Sequence, residues 1–85
     1  MNANGTAEFK TAELDDASFL LSQGVVYLRT EQAEGRVLFV FQDHPKRVNL
    51  LTELWAGRAT VEPMAHAFAL RRMKGELRRM RGGAR

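Results

Sequence analysis

Residues 25–42 read VVYLRTEQAEGRVLFVFQ. Two runs rich in β-branched and aromatic residues, Val25–Thr30 and Arg36–Gln42, flank Ala33-Glu34-Gly35. Such side chains pack well on a pleated surface, and a glycine in a short connection supplies the positive φ that a tight turn requires. The stretch therefore predicts an antiparallel β-hairpin. Along its second run Val37, Phe39 and Phe41 point one way, and Leu38 and Val40 the other. Both faces are apolar. Either helices cover both of them, or one face meets a partner chain.

Upstream, Leu14, Ala17 and Leu21 recur at helical spacing with Leu20 beside them. Thr11 suits the N-cap of that helix. Glu13, Asp15 and Asp16 follow early, where the helix dipole favours acids. Gly24 stands where a left-handed residue ends a helix, which places the first helix at 12–23. Glu8–Lys10 form a short first strand, and the polar residues 1–7 fray. Downstream, Asp43-His44-Pro45 close the hairpin strand and open a second helix, with Pro45 at its first position and His44 as its cap. Val48, Leu51 and Trp55, with Leu50 and Leu54, give that helix a wide apolar face, and Gly57 stops it. Arg58–Glu62 connect to a third helix that starts at Pro63, runs to about Met80 and ends at Gly82-Gly83. The sum is one α+β domain over 8–81 with a flexible basic tail, 82–85. Its order is β-α-β-β-α-α, with a small antiparallel sheet of about three strands packed by three helices.

The third helix is two-sided. At about 100° per residue, Leu70, Met73, Leu77 and Met80 fall on one stripe, joined by His66 and Ala69. Arg71, Arg72, Arg78 and Arg79 lie roughly opposite, around Gly75. Met64 and Phe68 sit on the arginine side near the helix start, so its first two turns are expected to be buried all round.

Charge is divided along the chain. Residues 1–43 hold three basic and seven acidic side chains, and residues 44–85 hold ten basic and three acidic, giving −4 and +7. Such a dipolar molecule turns one face towards polyanions. There are no cysteines, which excludes a disulfide framework and a thiolate zinc site and fits a reducing compartment. No apolar run reaches the roughly 18–20 residues that span a bilayer. The start, MNANGTAEFK, lacks the basic and apolar regions of a signal peptide. A cytoplasmic location is expected.

An early threonine (Thr11), the leucine-rich ASFLLSQG ending at Gly24, and RVLFVFQD with Val37, Phe39, Phe41 and Asp43 follow one another in order, ahead of a leucine-rich and then a basic helix. Over about residues 9–80 this pattern resembles a family of short uncharacterised domains found in bacterial and phage genomes. The resemblance implies a compact α+β fold in a phage or mobile-element setting and supplies no functional residues.

Catalytic patterns are missing. His44 and His66 have no metal-ligand spacing, and His66 on the apolar stripe reads as a packed histidine. Asp15 and Asp16 diverge by about 100° on a helix, which is wrong for an acid/base dyad. Ser18 and Ser22 have no neighbouring base and no nucleophile-elbow setting. The glycines form no phosphate-cradling loop. The chain is expected not to be an enzyme, and to use no metal and no cofactor.

Two kinds of partner fit what remains. The first is nucleic acid, held without sequence preference by Arg71, Arg72, Lys74, Arg78, Arg79, Arg81 and Arg85, because guanidinium pairs with phosphate in a planar fork. A protein that handles nucleic acid could be held by the same basic residues. The second is a protein, either a larger host or viral one or a second copy of this chain, held by Leu70, Met73, Leu77 and Met80. Tyr27 could stack a base but is expected to pack in the sheet. Membrane binding ranks last, since so small a core needs the apolar side of the helix for itself.

Overall fold

A computed structural model describes residues 7–82. The chain runs β1 (Glu8–Thr11), α1 (Leu14–Ser22), β2 (Tyr27–Ala33), β3 (Arg36–Gln42), α2 (Arg47–Trp55) and α3 (Pro63–Gly82). This is the α+β order the sequence predicts. The expected frayed start and basic tail fall outside the described residues, except for Ala7 and Gly82. The Ala7 carbonyl accepts a hydrogen bond from the Asp43 N–H at 2.9 Å, and Gly82 is still helical.

The sheet has the order β1-β3-β2, with both pairings antiparallel. Ala33 pairs with Arg36 across a two-residue loop in which Glu34 (φ 53) and Gly35 (φ 77) both take positive φ. That is the pattern of a type I′ turn, whose twist matches that of the strands. The register of β2 against β3 shifts between Tyr27 and Arg29, a bulge that leaves Leu28 over.

Val25, expected to open the strand, instead completes α1. Gly24 (φ 87) donates its N–H to the Leu21 carbonyl, and Val25 donates to the Leu20 carbonyl, both at 3.1 Å. Leu20 and Val25 then pack together in the core, as a Schellman ending requires. Gly57 (φ 76) and Arg58 end α2 in the same way, on the carbonyls of Leu54 and Glu53.

Helix starts shift by a residue or two from expectation. Thr11 is the last residue of β1 rather than an N-cap, although its Oγ1 accepts the Glu13 N–H at 3.0 Å. Pro45 lies in the turn before α2. There His44 Nδ1 accepts the Lys46 N–H at 3.0 Å, and Asp43 pairs with Arg47. Pro63 does open α3, where the Glu62 carboxylate accepts the N–H groups of Met64 and Ala65.

One core forms against the face of β3 that carries Phe39 and Phe41. Ala17, Phe19 and Leu20 of α1, Leu51 of α2 and Met73 of α3 meet there, with Phe9, Tyr27 and Leu77 packed at its margin. Each large side chain so withdrawn contributes roughly 1.5–3 kcal/mol.

The opposite face of the sheet mixes apolar and charged side chains. Val40 is 0% exposed there and lies outside the core cluster that the helices share with Phe39 and Phe41. Lys10 and Arg29 stand beside it in register, and Glu31 stands opposite Leu38. Lys10 pairs with Glu31 at 3.1 Å, and Arg29 pairs with both Glu8 and Glu31 at 2.7 Å. Long charged side chains lay their stems over apolar surface while their heads stay wet. These pairs thus flank the buried Val40, while Leu38 stays half-buried and Leu28 at the bulge is 41% exposed.

Candidate nucleic-acid interface

The 20-residue α3 packs chiefly against α1, and its second half reaches β2. Arg72 lies against the Tyr27 ring, Glu76 bonds to Thr30, and Leu77 and Arg81 share a cleft with Gln32 and Gly35 at the hairpin turn. A helix with one layer beneath it can bury only one side. Ala69 and Met73 take that side, with Leu70, Leu77 and Met80 half-buried. Met73 is 0% exposed, so the stripe predicted for a protein partner is turned inward at its centre.

The opposite side carries Arg71, Arg72, Lys74, Arg78, Arg79 and Arg81, all exposed. Arg85 lies outside the described residues. The expectation that the first two turns of α3 are buried all round is wrong, because no third layer exists to cover them. Met64 is 62% exposed and Phe68 is 59% exposed.

The acids of the first half do not neutralise this face. Glu8 and Glu31 are engaged with Arg29 and Lys10, and Asp43 with Arg47. Arg79 alone among the cations of α3 meets a carboxylate, that of Glu76 on its own helix. Among the described residues, Arg71, Arg72, Lys74, Arg78 and Arg81 form no ion pair. Glu76 also accepts the Thr30 hydroxyl at 3.1 Å, and Thr30 in turn bonds the Tyr27 hydroxyl. The hydrogen bond from Arg79 is the main reason the Glu76 carboxyl lies below the ordinary glutamate range. Burial is the main reason the Tyr27 phenol lies above its usual value.

Two guanidinium groups of α3 are held by aromatic rings. Arg71 lies 5.3 Å from the Phe68 centroid, and Arg72 lies 5.2 Å from that of Tyr27. Such contacts orient a cation without neutralising it. Between the arginine pairs sits Gly75, where an added Cβ would meet nothing within 4 Å. Beside Phe68 opens a cleft of about 270 Å³, lined by Leu21, Ser22, Ala65, Phe68, Ala69 and Arg72.

Sequence reasoning found the arginines and missed Phe68. The signal was present. Phe68, Arg72, Gly75 and Arg79 recur at four, three and four residues, the spacing of one helix flank. Reading Phe68 as core hid it.

Elsewhere, Trp55 is 67% exposed and donates its Nε1–H to Asp16 at 3.0 Å, beside a cleft shared with Glu13, Asp15 and His66. Among the described residues no three metal-binding side chains gather, and no helix is long and apolar enough to cross a membrane. No family model matches the chain, and no similar protein was found among curated proteins or solved structures.

Proposed function

We propose that this chain is a small non-catalytic binding module that grips the phosphate backbone of nucleic acid with the exposed side of α3. The observation that carries this reading is the set of five cations, Arg71, Arg72, Lys74, Arg78 and Arg81, on one helix of 20 residues that meet no carboxylate among the described residues. Two of its guanidiniums are already oriented by rings. Phosphate neutralisation releases condensed counterions, so affinity falls steeply with salt. Five contacts give a log–log slope of about −4 to −5 on duplex DNA and about −3.5 on a single strand. The phage or mobile-element setting belongs to this proposal and rests on the sequence resemblance.

The test replaces Arg71, Arg72, Lys74, Arg78 and Arg81 together by Gln. All five are exposed, so the circular-dichroism spectrum is expected to stay that of the parent. Binding to a labelled oligonucleotide is expected to disappear at moderate salt. Retained affinity, or an affinity in the parent protein that ignores salt, would show that phosphates are not what α3 holds.

A further inference from the structure

We propose that the nucleic acid held by α3 is single-stranded, with an unstacked base seated against Phe68; this rests on the phosphate-binding reading above. A large aromatic ring costs free energy when left in water, and Phe68 is left there, 59% exposed, at the N-terminal end of the basic surface of α3. Bases of a single strand stack on such rings irrespective of their identity, while cations beside them take the phosphates. A duplex keeps its bases stacked on one another and offers Phe68 no partner.

The surroundings of Phe68 suit a base. Its ring borders the cleft of about 270 Å³ whose other walls are Leu21, Ala65, Ala69 and Arg72, with the Ser22 hydroxyl at the edge. That hydroxyl donates to the Phe19 carbonyl at 2.7 Å, which leaves its lone pairs free to accept from a base. The walls are apolar or cationic, so an acidic peptide would find charge pairing there but nothing that calls for a flat ring. From the cleft, Arg72 and Arg79 continue along the same flank, each held from behind. Tyr27 holds Arg72, and Glu76 holds Arg79. Gly75 lies between them with open space over its Cα, so a sugar-phosphate chain can lie close to the helix there. From residue 68 to residue 79 the track is about 16 Å long at 1.5 Å per residue.

Fluorescence anisotropy separates this inference from the reading beneath it. Three labelled probes of about 20 nucleotides are compared at one salt concentration: a mixed-sequence single strand, its duplex, and an abasic strand with the same phosphates. The intact single strand is expected to bind the parent protein most tightly. Phe68→Ala is expected to lower that affinity roughly 5- to 100-fold and to leave the abasic strand unaffected. Phe68 is exposed, so the variant should fold, and its unfolding curve is recorded alongside. If the abasic strand or the duplex binds the parent as tightly as the intact strand, or if Phe68→Ala changes nothing, base stacking is overturned while phosphate binding survives. If none of the three probes binds, both fall.

Discussion

Replacing Gly75 by Ala tests whether that glycine serves the fold at all. Glycine in a helix interior is less favourable than alanine by about 0.5–1 kcal/mol, because the unfolded chain has more freedom to lose. Nothing has to be subtracted for a clash, since the new Cβ would find no atom within 4 Å. The substitution should therefore stabilise the domain by nearly that whole amount. For a chain of this size the urea m-value is about 1 kcal/mol/M, so the midpoint should rise by about 0.5–1 M with m unchanged. The thermal midpoint should rise by roughly 2–8 °C. Urea titrations followed by circular dichroism at 222 nm measure the first shift directly. A midpoint that stays put or falls would mean that the fold itself uses glycine at 75, and the view of this position as an unoccupied seat on the helix would be wrong.

Met73 is buried among the aromatic residues of the core, so Met73→Ala should cost roughly 2–5 kcal/mol; Met73→Leu should cost under about 1.5 kcal/mol, and equal urea midpoints for the two variants would contradict that packing. Glu34→Asn places a side chain that tolerates positive φ at the turn residue with φ 53 and should stabilise by up to about 1 kcal/mol in thermal unfolding; destabilisation would argue against the type I′ turn. Glu8, Glu31, Asp43 and Glu76 all lie below their ordinary ranges, chiefly through hydrogen bonds from Arg29, Lys10, Arg47 and Arg79 respectively. A carboxyl with a lowered folded pKa contributes stability that is complete above its usual value, 4.5 for Glu and 3.8 for Asp, and is lost as pH falls through the lower folded value. Urea midpoints should therefore hold steady near neutrality and drop below about pH 4.5, less steeply in Arg29→Gln. Identical acid profiles for parent and variant would remove the outer-face ion pairs from the account.

Local chemistry was legible in the sequence wherever it was self-contained. Gly24 and Gly57 announce helix ends because little but glycine takes a left-handed cap without strain, and both do so with the expected hydrogen bonds. Alternation along Val37–Phe41 told the two sheet faces apart for the same reason, since a strand has a period of two. What stayed hidden depended on layers. Whether Phe68 is core or surface is decided by whether anything packs above α3, and no local pattern encodes that. Val40 is the converse case: it is buried on the outer face beside Lys10 and Arg29 in register, charged residues that a sequence reading sends to solvent. In the candidate site, the arginine side of α3 followed from spacing. The props behind it, Tyr27 and Glu76, required knowing that β2 runs underneath.

The middle strand of the sheet is the last of the three in the chain. As the polypeptide leaves the ribosome, β1 emerges with no neighbour to join, and it must wait while some thirty further residues are made before Phe41 arrives opposite Phe9. Hairpin closure between β2 and β3 is local and comes first. Until β1 docks, one rim of β3 stays open to any extended peptide nearby. A variant that loses residues 8–11 would keep that rim open permanently, and clumping during synthesis, ahead of any loss of ligand, would be its first symptom.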